Sequence, residues 1–80
     1  MNYFQFMPIE LVDLIFLYTN VKNLNYVIFN EQLNNTNLII NKIKHDFPLI
    51  NNSFLKLETI FNNGIHNLNK LNNFYDRLTE

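Results

Sequence analysis

Eighty residues with no cysteine, two histidines and a formal charge of −1 exclude a disulfide scaffold, and they give neither a histidine-rich metal site nor a basic face for nucleic acid. A domain this small buries only about 60–65% of the surface its unfolded chain exposes. Eight Phe and four Tyr therefore drive collapse and still leave apolar area for a partner to cover.

The first helix is expected from Pro8 to about Tyr18. Proline suits a helix start because its missing N–H has no intrahelical acceptor to lose, and Glu10 and Asp13 favour the positive end of the helix dipole. Leu11, Val12, Leu14, Ile15, Phe16 and Tyr18 cover most of the circumference. Glu10, Asp13 and the position of Leu17 share a narrower face. A helix apolar over so much of its girth is buried on more than one side. In a chain this short, a second protein is a natural way to do that.

Thr19 and Asn20 break the pattern. A second helix is expected from Asn20 or Asn23, capped by a side-chain oxygen, with Leu24, Val27, Ile28, Phe29 and Leu33 as its stripe. Residues 34–37 (Asn-Asn-Thr-Asn) read as a loop. A third helix over Leu38–His45 turns Leu38, Ile39 and Ile43 inward, and Pro48 ends it by excluding the helical region for Phe47. Ser53 is the expected cap of a fourth helix, Phe54–Phe61, with Leu57, Ile60 and Phe61 on one face. Asn62 and Asn63 followed by Gly64 form a stop signal, the glycine able to take the left-handed conformation. The last helix, Ile65–Leu78, carries Ile65, Leu68, Leu71, Tyr75 and Leu78 at helical steps. No period-two stretch competes. The expected fold is all-α, a small bundle of four to five short helices forming a single domain over residues 1–80. Pro48–Asn52 is where an N-terminal three-helix unit, residues 7–46, would meet a C-terminal helical hairpin, residues 53–79.

Residues 7–24, Met-Pro-Ile-Glu-Leu-Val-Asp-Leu-Ile-Phe-Leu-Tyr-Thr-Asn-Val-Lys-Asn-Leu, resemble the first half of an F-box. The family opens with Leu-Pro, continues with Glu-Leu after one variable residue and Ile-Leu a helical turn later, and closes with Asp-Leu. Met7 stands for the leading Leu; Pro8, Glu10, Leu11 and Ile15 match; Phe16 replaces the Leu of the Ile-Leu pair; Asn23 and Leu24 stand for Asp-Leu. Further on, Asn30 and Asn34 occupy the places of the family's Val and Trp, with Phe29 and Leu33 one residue before each. The resemblance implies docking on a Skp-type adaptor of a cullin–RING ubiquitin ligase, to which the chain would recruit a target protein. Its docking residues would be Met7, Pro8, Leu11, Val12, Ile15, Phe16 and Leu24. The ligase chemistry would belong to other subunits. The alternative is a small self-associating helical protein, of a viral particle for instance and with no ubiquitin link, whose stripes are simply core or homo-oligomer seams.

The remaining features point away from catalysis. His45 next to Asp46, and His66 far along the chain, lack metal-ligand spacing. Ser53 has no nucleophile elbow, and one glycine cannot build a phosphate loop. No enzyme activity, cofactor or small-molecule substrate is expected. Glu10 and Asp13 interrupt the first apolar stretch, against a signal peptide, and no run approaches the ~20 residues of a membrane span. The expected setting is cytoplasm or nucleus, a host cell's cytoplasm for a viral chain. Asn at 17 of 80 positions, with no Ala, fits an AT-rich genome such as that of a large DNA virus or a protist. Phe54, Phe61, Phe74 and Tyr75 form a further candidate patch for a target, provided that they are exposed.

Overall fold

The computed structural model describes residues 6–53, 55 and 64–79. Every regular element among them is helical, and there is no strand. Helix α1, Ile9–Tyr18, starts one residue later than expected, with Pro8 as its N-cap. The Pro8 carbonyl accepts from the amides of Leu11 and Val12. At the other end Thr19 swings to extended backbone while its hydroxyl donates back to the Ile15 carbonyl.

The expected second helix is broken into three pieces. Asn20 caps a 3-10 turn, Val21–Asn23, by accepting from the Lys22 amide. Asn25 then accepts from the amides of Val27 and Ile28 in a separate turn. Helix α2, Asn30–Leu33, is a single turn. Asparagine side chains offer the backbone local acceptors that compete with a continuous helical ladder, and two of them closely spaced are enough to divert it. The stripe nevertheless lands largely as expected, with Leu24, Phe29 and Leu33 buried and Ile28 partly so, while Val27 is exposed.

Helix α3, Thr36–Asp46, starts two residues earlier than expected because Asn35 caps it, accepting from Asn37 and Leu38. Ile39 and Ile43 are fully buried and Leu38 partly so. The helix stops one residue before Phe47, as Pro48 dictates. Beyond it, Asn51 rather than Ser53 caps the next helical stretch: its side chain accepts from the Ser53 amide at 2.8 Å, and Asn52, Ser53 and Leu55 are already helical. The rest of the expected Phe54–Phe61 helix, with Leu57, Ile60, Phe61 and the Asn62–Asn63 stop, lies outside the described residues.

Helix α4 is Gly64–Leu78. Gly64 does not take the expected left-handed conformation; it opens the helix instead. Its lack of a side chain matters for a different reason. A Cβ there would lie 2.7 Å from Cε2 of Tyr26 and 2.9 Å from Nδ2 of Asn34. The inward face of α4 is also rotated from the expected stripe. Asn67, Leu71, Phe74 and Tyr75 are buried, Leu68 and Leu78 are half-buried, and Ile65 is 51% exposed. Phe74 and Tyr75 thus belong to the core and are no surface patch.

Helix α3 packs on α1 and α2, and α4 packs on α2 and the 3-10 turn. Val12 and Phe16 of α1, Leu33, Ile39 and Ile43, and Leu55, Leu71 and Phe74 form one continuous core. Among the described residues, no separate core sets apart the segment after Pro48–Asn52.

Candidate docking face

Helix α1 is apolar on two opposite sides. Val12 and Phe16, one helical turn apart, point into the core, where the Phe16 ring meets Phe29 with centroids 5.7 Å apart. Leu11, Leu14 and Tyr18 recur at steps of three and four residues on the other side, and Met7 stands just before the helix. Leu11 is 48% exposed, Leu14 50% and Tyr18 69%, and Met7 and Pro8 at the helix start are exposed too. Ile15 is half-buried between the two sides. Of the seven candidate docking residues, the fold therefore presents Met7, Pro8 and Leu11 outward and Ile15 in part. Val12, Phe16 and Leu24 are core residues, because the i, i+4 pair on α1 and the chain's return after the 3-10 turn carry them inward. Leu14 and Tyr18 join the outward face in their place. Their signal in the sequence was the second apolar stripe, half a turn away from Val12 and Phe16.

The outward stripe rests on a firmly held helix. Lys42 of α3 is fully buried, and its ammonium donates to the carbonyls of Leu17, at 3.1 Å, and Thr19. A helix end leaves carbonyls without intrahelical donors, and a cation there also opposes the negative end of the dipole. The same ammonium lies 5.6 Å from the Phe16 ring centroid and 3.6 Å from Oδ2 of Asp46. Burial lowers the Lys42 pKa from its ordinary value, with Asp46 opposing the shift. Asp46 is itself oriented by the Tyr75 hydroxyl, which donates to Oδ2 at 2.6 Å. Burial and the neighbouring carboxylate together push the Tyr75 phenol above its ordinary range. Near the middle of α1, Gln32 of α2 donates to Asp13 at 3.0 Å.

Two open depressions flank this framework. One, about 430 Å³, lies at the C-terminal end of α1, and its walls include Tyr18, Lys22, Asp46, Tyr75 and Asp76. Its charges are already satisfied, since Lys22 meets Asp76 at 2.6 Å. The other, about 400 Å³, runs between α1 and α3, walled by Leu14, Leu17 and Leu38 with Glu10, Asp13 and Asn41 at its edges.

His45 lies beside Asp46, Nδ1 to Oδ1 3.1 Å, and packs edge-on against Tyr18. His66 is exposed. Among the described residues no three His, Asp or Glu side chains cluster as metal ligands, and no helix is long and apolar enough to cross a membrane. No protein-family model, curated protein or solved structure matches the chain. What the geometry defines is a small helical protein whose first helix is fastened from behind and apolar in front.

Proposed function

We propose that the chain is a docking module of the F-box-like kind, whose α1 seats a Skp-type adaptor of a cullin–RING ubiquitin ligase and so brings a target to it. The observation that carries this reading is the outward stripe of Met7, Leu11, Leu14 and Tyr18 on a helix whose opposite side is already in the core. Exposed apolar area of this continuity on a small protein marks an interaction surface. Pro8 and Leu11 at the helix start are the part of the resemblance that lies on this face. The burial of Phe29 and Leu33, beside the exposed Asn30 and Asn34, supports reading the family's two later apolar positions one residue earlier in this chain.

The test mixes the full chain with a purified Skp-type adaptor. A 1:1 complex is expected, with an interface near the usual ~1,600 Å². Leu11→Asp, at an exposed position, is expected to abolish it while circular dichroism and the unfolding midpoint of the free chain stay unchanged. A stable homodimer through the same stripe, with no affinity for the adaptor, overturns the adaptor reading in favour of self-association.

A further inference from the structure

The groove between α1 and α3 lies on a different flank of α1 from the outward stripe, and its chemistry is different. Glu10, Asp13, Leu14 and Leu17 follow one another at i, i+3, i+4 and i+7, so they form a single helical ridge. Across from them stand Leu38 and Asn41 of α3, with the Phe16 ring at the base. The walls are mainly apolar, and no Lys or Arg lines them. Among the described residues, neither Glu10 nor Asp13 meets a cation. Asp13 spends one carboxylate oxygen on the Gln32 amide and keeps the other. The groove is thus an apolar trough with uncompensated negative charge along one edge.

We infer that this groove binds a short amphipathic helix of another protein, one that places apolar side chains between Leu14, Leu17 and Leu38 and an Arg or Lys against Glu10 and Asp13. Charge decides the chemistry of the occupant. An acidic or neutral segment would bury the trough and leave both carboxylates beside it unpaired, whereas a cation at the edge turns the same contact into attraction. Shape decides the class. The trough's lining on α1 runs from Glu10 to Leu17, about 10 Å at 1.5 Å per residue, or roughly two helical turns. An amphipathic helix laid in such a groove anchors through residues spaced i, i+3/i+4 and i+7. In this arrangement one side of α1 is free for an adaptor while its flank holds a basic target segment. The groove inference does not depend on the adaptor reading, because its lining is distinct except for the shared Leu14.

The experiment uses the ¹⁵N-labelled full chain and two synthetic 14-residue helical peptides. Both carry Leu at i, i+3, i+4 and i+7; one has Arg on the flanking positions and the other Glu. The Arg peptide is expected to shift the amide signals of Leu14, Leu17, Leu38 and Asn41, and to bind at least about fivefold more tightly than the Glu peptide at low salt. The preference should shrink at high salt, where the Debye length falls to about 3 Å at 1 M. Glu10→Gln is expected to weaken the Arg peptide by about two- to fivefold, the range of a surface ion pair. Asn41→Trp, at an exposed position, fills the trough and should remove binding of either peptide. Equal affinity for the two peptides at low salt overturns the inference. So does a set of shifts confined to Met7, Leu11 and Tyr18, or unchanged binding in Asn41→Trp. Concentration-dependent shifts of the groove amides without peptide would show a second copy as the occupant and equally overturn it. Leu11→Asp must leave peptide binding intact, so failure here and failure of adaptor docking are separate results.

Discussion

Replacing Lys42 with Met tests whether a buried cation fastens the end of α1. The two side chains are of similar length, so the substitution removes charge and donors while leaving little empty space. Three consequences oppose one another. The carbonyls of Leu17 and Thr19 lose the ammonium that caps them, and Asp46 loses a cation 3.6 Å away. Against this, the desolvation cost of the Lys42 charge disappears. Each carbonyl left without a donor costs about 1–3 kcal/mol when water cannot reach it. Leu17 and Thr19 are only half-buried, so solvent recovers part of that. Removing one partner of a buried charged group is in general strongly unfavourable, while replacing the whole charged set by apolar groups is often neutral. Met replaces only one member, so the loss should dominate, at about 2 kcal/mol net. Lys42→Ala adds a cavity and should cost about 1–2 kcal/mol more. Urea unfolding followed by circular dichroism measures both, and amide exchange of residues 15–19 should quicken in Lys42→Met. A variant as stable as the parent chain, with α1 exchange unchanged, would refute the idea that Lys42 secures the helix end.

Tyr75 gives a prediction in pH. Its folded-state pKa is raised, so stability is present below the unfolded value of about 10 and falls as pH rises above it; Lys42, whose folded pKa is lowered, contributes the opposite and smaller slope just below 10.5. Tyr75→Phe is therefore expected to cost about 1 kcal/mol at pH 7, from the lost bond to Asp46, and to flatten the fall in unfolding midpoint between pH 10 and 11.5. Gly64→Ala gains helix propensity but drives a Cβ into Tyr26 and Asn34, so a net loss of about 1–2 kcal/mol should appear as a lower thermal midpoint. Asn67→Ala removes the 2.6 Å bond to the Leu33 carbonyl and should destabilise by about 2 kcal/mol in the same denaturation assay.

Helical periodicity carried the sequence reading a long way. The class, the ends of α1 and α3 at Thr19 and Pro48, and the inward turn of Ile39, Ile43 and Leu71 all follow from apolar spacing and proline geometry. The departures come from side-chain groups bonding backbone, locally at Asn20, Asn25, Asn35 and Asn51 and at long range at Lys42 and Asn67. A rule that puts Asn outside cannot foresee Asn67, which is buried because the end of α2 needs a donor for Leu33. Nor can it foresee Lys42, whose acceptors lie more than twenty residues earlier in the chain. Burying Asn67 also rotates α4, which brings Phe74 inward and leaves Ile65 outside. The surplus of apolar residues on α1 is legible from composition alone. Which of them point outward is not, since Leu11 and Val12 differ only in which side the core happens to occupy. The abundant asparagines were read as a codon effect. At Asn20, Asn25, Asn35 and Asn51 they also hold the turns between helices.

The line of contacts from α1 through Lys42 and Asp46 to Tyr75 has an effect on timing. A chain leaves the ribosome N-terminus first, so the residues of α1 are exposed to the cell before Lys42 has been added and well before Tyr75. The apolar front of α1 is then present, but the helix bearing it is not yet secured. The end of α1 is secured only once α4 has been made and Tyr75 orients Asp46 beside Lys42. A chain cut short within α4 would display the same apolar side chains on an unsecured helix, and chaperones or proteases would be its first company.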